Sequence, residues 1–436
     1  MPRCPALMIS APASGQGKTS LTAAIATHAR RQGRRVRVFK TGPDYLDPMI
    51  LERASGAPVY QLDLFMGGLA HCQTLLAQAA AEADLILVEG VMGLFDGDPS
   101  SADLAAAFGL PVLVVLDASA MAQTFAALAT GLARYRSDIR VAGVVANRVG
   151  SESHARMVAQ GLPQDLPLVA ALRRQPELSL PERHLGLVQA LELPELETQL
   201  QSWADAWEAG CALGRGLEAA LAPIDFEAPA QADHGRPLAG RRIGIARDAC
   251  FSFIYPANLD CLSELGAELR FFSPLAGDAL PDCEALWLPG GYPELHAQAL
   301  AAHPDFFASL RRHQIEGKPL LAECGGLLVL LEQLIDAEGK TWPLAGLLPG
   351  TCRMQARLSA LGLQSIAWPE GELRGHSFHY STMETSLTPI AVAGNPNGGK
   401  TREPLYQQGA IRASYIHHYF PSQPAAVAAF LAGTTA

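Results

Sequence analysis

The chain has 436 residues, 49% of them apolar and 17% charged, with a formal net charge of −10. That length exceeds one ordinary domain and supplies apolar surface for two or three buried cores. The acidic balance excludes general nucleic-acid binding, which needs a basic face.

Eight cysteines show no CxxC or Cys/His metal spacing, and the N-terminus has no charged leader followed by a long apolar core. The apolar window "AAAFGLPVLVVLDASAMA" contains Pro111 and Asp117, which suits a buried parallel strand better than a membrane helix. A cytoplasmic protein with reduced thiols is expected, with neither membrane nor nucleic acid as a partner.

The first predicted strand ends at Leu7 to Ser10 and runs into a small-residue loop, Pro12 to Gly17, followed by Lys18, Thr19 and a helical pattern from Leu21. Strand, Gly-rich loop and helix in that order form the setting of a phosphate-binding loop. Backbone N–H groups and the helix N-terminus face the phosphates, the Lys reaches the terminal ones, and the Thr hydroxyl goes to Mg²⁺. Gly15, Gly17, Lys18 and Thr19 fit this, whereas the first Gly of the usual pattern is replaced by Pro12. ATP binding is expected here.

The apolar runs "RVRVFK", "DLILVEG", "PVLVVLD" and "VAGVVANRV" alternate with amphipathic segments, as strands of a parallel sheet covered on both faces do. Ligands of such sheets gather at the carboxyl ends of the strands. Four carboxylates sit there: Asp44 and Asp47 in "KTGPDYLDP", Glu89 at the end of "LILVEG", and Asp96 on the loop after it. At least two are expected to serve metal or substrate chemistry. Asn147 closes another strand and is either a nucleotide base-edge contact or a turn residue. Arg34, Arg35, Arg37 and Lys40 read as a solvated helix end and strand edge rather than an anion pocket.

A helix is expected from Glu195 to Leu221, then a Pro-, Ala- and Gly-rich linker. The expected division is 1–223 for the first domain, 224–240 for the linker and 241–436 for the second domain. The fold class is therefore α/β, two doubly wound domains in tandem.

In the second half, "LLAECGGLLVLL" places Cys324 between an apolar strand and a glycine-opened helix, a turn that exposes a nucleophile at a helix N-terminus. The Gly325 N–H is positioned for an oxyanion hole, with a second donor from Gly290 or Gly291 in "LPGGYPE". "ASYIHHYF" supplies His417 and His418 as bases. A Cys–His site beside a nucleotide site suggests ATP-driven amidation with ammonia released from glutamine, through an acyl phosphate. Such ammonia needs a closed passage to escape protonation in bulk water.

Nine stretches, "APASGQGKTS", "FKTGPDYLDPM", "VEGVMGLFDG", "PERHLGL", "FSFIYPANLD", "LPGGYPELHA", "AECGGL", "GHSFHYS" and "ASYIHHYF", together resemble the cobyrinic and hydrogenobyrinic acid a,c-diamide synthase family from end to end. The resemblance implies a dethiobiotin-synthetase-like first domain and a class I glutamine amidotransferase second domain. It also implies ATP- and Mg²⁺-dependent, glutamine-fed amidation of the a and c carboxylates of a corrinoid in cobalamin biosynthesis.

Residue by residue, it implies Cys324 as nucleophile and His417 as its activator, with His418 as second choice. Tyr419 agrees with a type that lacks the usual carboxylate after the His. Thr19, Asp44 and Glu89 are implied as Mg²⁺ contacts. Tyr45, Leu46, Asp47 and Asp96 are implied near the substrate carboxylate or the phosphorylated intermediate.

Rival readings are a partitioning ATPase, whose loop would carry Lys where Ala13 stands, cobyric acid synthase, and nickel-sirohydrochlorin a,c-diamide synthase. The cobalt content of the macrocycle, the order of amidation and a homodimeric state are left open. His376 and His379 of "GHSFHYS" either line a cleft near the corrinoid or stand exposed on a strand.

Overall fold

The computed structural model describes residues 1–175, 182–183, 186–187, 189–230 and 232–434. Pro181, His184 and Leu185 of "PERHLGL" lie outside the described residues, as does Gln231 of the expected linker. The chain forms two compact units, Met1–Leu64 with Gly68–Gln231, and Phe65–Gly67 with Ala232–Ala436.

In the first unit β1 (Arg3–Ser10) leads through the Gly-rich loop into α1 (Lys18–Arg31). Then come β2 (Val36–Thr41), α2 (Leu46–Ser55), β3 (Tyr60–Leu62) and β4 (Leu85–Glu89). β5 (Val112–Asp117), β6 (Val141–Val149) and β7 (Leu168–Arg173) complete the path β3-β2-β4-β1-β5-β6-β7, whose seven strands are parallel.

The continuous apolar runs follow from two-sided burial. Along β1, Ala6 and Met8 enter one core while Leu7 and Ile9 enter the other. Along β4, Ile86 and Val88 oppose Leu85 and Leu87 in the same way. Each of these side chains larger than Ala stabilises the fold by roughly 1.5–3 kcal/mol relative to exposure.

Two boundaries differ from expectation. The helix expected to Leu221 spans Leu196–Cys211. It stops because the chain passes Gly214 directly over β7, where a Cβ would overlap Val169 O, and Arg215 and Gly216 N–H groups bond Leu168 and Val169 carbonyls. Residues 224 and 225, expected as linker, belong to a strand, Ala222–Asp225, antiparallel to the first half of β1 with Arg3 opposite Asp225 and Ala6 opposite Ala222. Phe226 follows it into the core, its N–H on Pro2 O.

The second unit has parallel strands in the order Glu268–Phe272, Arg242–Ala246, Ala285–Leu288, Leu320–Glu323 and Ile411–Ser414. Pro404–Gln408 and Ala391–Val392 extend it antiparallel. A separate antiparallel sheet joins Ala360–Trp368, Gly371–His379 and His417–Tyr419. None of the described helices is long and apolar enough to cross a membrane.

Candidate active sites

At the carboxyl edge of the first sheet, Gly15 and Gly17 take φ values of +76° and +95°. That left-handed backbone suits glycine. Gly17 has a second reason, since a Cβ there would overlap Asn147 Nδ2. The loop closes despite Pro12 because its neighbour braces it: Leu94 N–H bonds Ala11 O at 2.8 Å. Lys18 is 7% exposed, and its ammonium donates to Met92 O at 2.6 Å and Ala13 O at 3.1 Å. Burial, then Lys40, lower its pKa.

The acidic residues converge on a group absent from the site expected above. Lys40 Nζ lies 2.6 Å from Asp47 Oδ2, 2.6 Å from Glu89 Oε1 and 3.6 Å from Asp44 Oδ2. The solvated-edge reading fails for Lys40, which is 2% exposed, because its strand is interior and three carboxylates replace its hydration. For the arginines that reading agrees with the geometry: Arg34, Arg35 and Arg37 pair with Glu218, Asp84 and Glu82 at the surface. A Lys at the end of a buried strand, followed within seven residues by two Asp, was the available signal.

Burial and then Asp47 push Asp44 up. Burial also opposes ionisation of Asp47, but Lys40 overrides it and holds the carboxyl at about 2. Burial pushes Glu89 up, against the pull of Lys40. Lys40 stays protonated because the three acids outweigh its desolvation.

Thr19 hydroxyl donates to Glu89 Oε1 at 3.0 Å, while Glu89 Oε2 is buried with no hydrogen-bond partner among the described residues. No described cluster of three His, Cys, Asp or Glu side chains is built to hold a metal alone. Mg²⁺ needs none, since it is held by one or two carboxylates with phosphate and water. The orphan Oε2 beside the Thr19 hydroxyl, with Asp44 nearby, fits such an ion.

Asp44 Oδ1 accepts the Leu46 N–H at 2.9 Å, fixing the start of α2 where Tyr45 is buried. Asp96 is exposed and accepts the Gly93 N–H at 3.0 Å, in the loop that abuts Pro12. Asn147 Nδ2 donates to Gln16 O at 2.9 Å, so its amide braces the phosphate loop. Arg148 beside it bonds Asp117 at 2.5 Å and Gly15 O at 3.2 Å.

In the second unit Cys324 ends the strand Leu320–Glu323 and begins the short helix Gly325–Leu330, with φ 46° and ψ −108°. This backbone costs of order 1–3 kcal/mol and is held by its surroundings. The Cys324 N–H bonds Ser414 O at 2.9 Å, and a Cβ on Gly326 would overlap Leu288 O. Met92, Arg148 and Cys324 are the positive-φ residues other than glycine among the described residues, and each lies at one of these sites.

A Cβ on Gly325 would lie 3.0 Å from Gly291 N, so the two expected oxyanion donors come from touching backbones. A Cβ on Gly290 would overlap the His417 ring and lie 3.4 Å from Cys324 Cβ. His417 thus faces the elbow. His418 points the other way, its Nδ1 2.9 Å from Glu323 Oε1, while Trp287 Nε1 donates to Glu323 Oε2 at 3.1 Å. Burial, then Glu294, push the Cys324 thiol well above its ordinary value, and burial lowers His417. Burial thus favours the neutral form of each.

His376 is not exposed: it stacks on His417 at 5.0 Å and 21°, and its Nδ1 is 2.9 Å from the Tyr255 hydroxyl. His379 stacks on Tyr415 and pairs with Glu403 at 3.1 Å. These partners were hidden from the sequence because strand pairing, not spacing, brings them together.

A P-loop α/β unit joined to a Cys–His α/β unit defines the class, a nucleotide-binding fold with a glutamine amidotransferase fold. Residues 7–188 match the CobQ/CobB/MinD/ParA nucleotide binding domain, and residues 242–425 the CobB/CobQ-like glutamine amidotransferase domain. The chain is similar to the hydrogenobyrinate a,c-diamide synthase of Pseudomonas aeruginosa, 57% identical over 99% of this chain and 98% of that one. It is similar to that of Stutzerimonas stutzeri at 56% over 98% of both, and to the cobyrinate a,c-diamide synthase of Herminiimonas arsenicoxydans at 52% over 97% and 95%. The chain belongs to the hydrogenobyrinate/cobyrinate a,c-diamide synthase family.

Proposed function

We propose that the protein amidates the a and c carboxylates of hydrogenobyrinate or its cobalt-bearing counterpart, using ATP and glutamine. The observation that carries this is the presence, in one chain of this family, of Lys18 and Thr19 beside Glu89 and of an elbow Cys324 facing His417. The cobalt-free macrocycle is the first reading, since two of the three relatives above are hydrogenobyrinate enzymes.

In the first unit Lys18 would leave the Met92 and Ala13 carbonyls for the terminal phosphates. Thr19, Glu89 and Asp44 would hold Mg²⁺, which when bound neutralises charge on those phosphates. Three carboxylates around a single Lys40 leave the pocket short of positive charge, which a divalent ion would supply. The substrate carboxylate would attack the γ-phosphorus, the bond to ADP breaking. Tyr45, Leu46, Asp47 and Asp96 would line the approach of that carboxylate. Ammonia then attacks the acyl carbon and phosphate leaves. Asn147 would serve the nucleotide by holding the Gln16 carbonyl, with its base-edge contact part of the same proposal.

In the second unit the Cys324 thiol would give its proton to His417 as sulfur attacks the glutamine amide carbon. The oxyanion would be received by the Gly325 and Gly291 N–H groups. His417 returns the proton to the departing ammonia, and water hydrolyses the thioester to glutamate.

The test is mass spectrometry of hydrogenobyrinate and cobyrinate incubated with enzyme, ATP, Mg²⁺ and glutamine. Two amidations on one macrocycle are expected, with Cys324→Ala active on ammonium alone. No mass gain on either macrocycle would overturn the substrate assignment. A Cys324→Ala enzyme that still used glutamine would overturn the nucleophile.

A further inference from the structure

Two motifs singled out in the sequence, "FSFIYPANLD" and "GHSFHYS", have no place in the reaction above, and both end on His417. His376 of the second stands directly opposite His417 in the antiparallel pairing of Gly371–His379 with His417–Tyr419. The rings stack at 5.0 Å and 21°, and both residues are buried. Tyr255 of the first motif, 0% exposed, holds its hydroxyl 2.9 Å from His376 Nδ1, and Phe253 lies 5.9 Å from the His417 ring.

The carboxylate next to the nucleophile in sequence is engaged elsewhere. Glu323, adjacent to the nucleophile, is bound to the His418 side chain and backbone N–H and to Trp287. Tyr419 follows the histidines in sequence and packs edge-on against Tyr255 at 5.3 Å.

We propose that His376, locked by Tyr255, is the positioning residue of the glutaminase site: its ring face sets the plane of His417. Directly opposed side chains on paired strands interact face to face, so a flat ring restricts rotation of its neighbour. A carboxylate would also stabilise an imidazolium before substrate arrives, whereas a neutral ring orients without that charge. The titratable and charged groups around His417 include His376 and His379 from one strand, His418 beside it, and Cys324 from the elbow, on which Glu294 also acts. His379 is tied to Glu403 and His418 to Glu323, which leaves His376 as the imidazole stacked on the base.

The inference rests on Cys324 and His417 being the glutaminase pair, and the experiment separates the two claims. The full-length enzyme is assayed for glutamine-driven and ammonium-driven amidation as Cys324→Ala, His376→Ala, His376→Phe and Tyr255→Phe. Losing an orienting acid from a triad costs up to about 10⁴ in kcat, and a stacking partner does less. His376→Ala is expected to lower the glutamine-driven kcat by roughly 30- to 100-fold, with KM for glutamine changed less than about threefold and the ammonium-driven rate kept.

His376→Phe keeps the flat face and is expected to recover most of that loss. Tyr255→Phe is expected to cost roughly 3- to 10-fold, about one hydrogen bond. A glutamine-driven kcat unchanged in His376→Ala would overturn the proposal. So would equal losses of glutamine- and ammonium-driven rates in both His376 variants, which mark a structural role. Glutamine use by Cys324→Ala would instead overturn the pair itself.

Discussion

Lys40 and Glu89 sit opposite one another on adjacent parallel strands, Nζ 2.6 Å from Oε1, both buried. The pair stands between the phosphate loop and α2, so its charge balance belongs to the fold as much as to the site. Removing one partner of a buried ion cluster leaves uncompensated charge, typically at a cost of about 3–5 kcal/mol. Lys40→Met is therefore expected to destabilise the protein by about that amount, read by urea unfolding. Added Mg²⁺ is expected to restore part of the loss in the variant, since it supplies the missing positive charge. Unchanged stability would show that the three acids are protonated or solvated there.

The Gly290 backbone is in contact with His417 and carries no left-handed constraint, so alanine there is a steric probe of the base. A Cβ would push the ring away from Cys324. Displacing a catalytic group by about 1 Å costs on the order of 10²-fold. Gly290→Ala is expected to lower glutamine-driven turnover by that factor while ammonium-driven turnover persists. Equal activity with both donors would mean that His417 does not need its place against Gly290.

Cys324 rises by burial and His417 falls by burial, so neither charged form is favoured in the free enzyme. Only a thiolate alkylates quickly. Iodoacetamide should therefore modify Cys324 slowly through pH 8, its rate rising only in more alkaline solution. Peptide mapping by mass spectrometry follows the site. Rapid modification at pH 6 would reveal a preformed thiolate–imidazolium pair.

Burial raises Glu294 from its ordinary value to about 7. The folded protein then binds a proton that the unfolded chain releases. The stability from this group is full below pH 4.5 and fades as pH rises through about 7. Glu294→Gln, which cannot ionise, is expected to gain on the parent as pH goes from 5 to 8, in urea midpoints of the second unit's transition. A constant difference across that range would place the Glu294 carboxyl in water.

Much of this was legible where local rules decide. The runs around Leu7, Leu87 and Val114 read as parallel strands because burial on both faces removes any polar alternation. The phosphate loop and the Cys324 elbow read as sites because each needs glycine at particular places in a strand-to-helix turn. Lys40 misread as a surface charge when grouped with the arginines before it, although two Asp just beyond its buried strand were a signal; that Glu89 lies across from it is a strand pairing nothing local contains. The stack of His376 on His417 was illegible for a related reason, being a strand pairing between residues 41 apart in sequence. The early end of the helix at Cys211 came from Gly214 passing over a neighbouring strand, a tertiary contact that helical periodicity does not contain.

The strand Ala222–Asp225 has a practical corollary for anyone who would express the nucleotide-binding half by itself. A gene cut after codon 223 would strip the backbone partners from Arg3 and Cys4, the opening residues of the strand that carries the phosphate loop. It would also remove Phe226 from the core beneath. The freed edge would be an open template for another chain, and aggregation its natural outcome. Ending the fragment beyond Phe226 keeps the β-strand zipped and the loop's root intact.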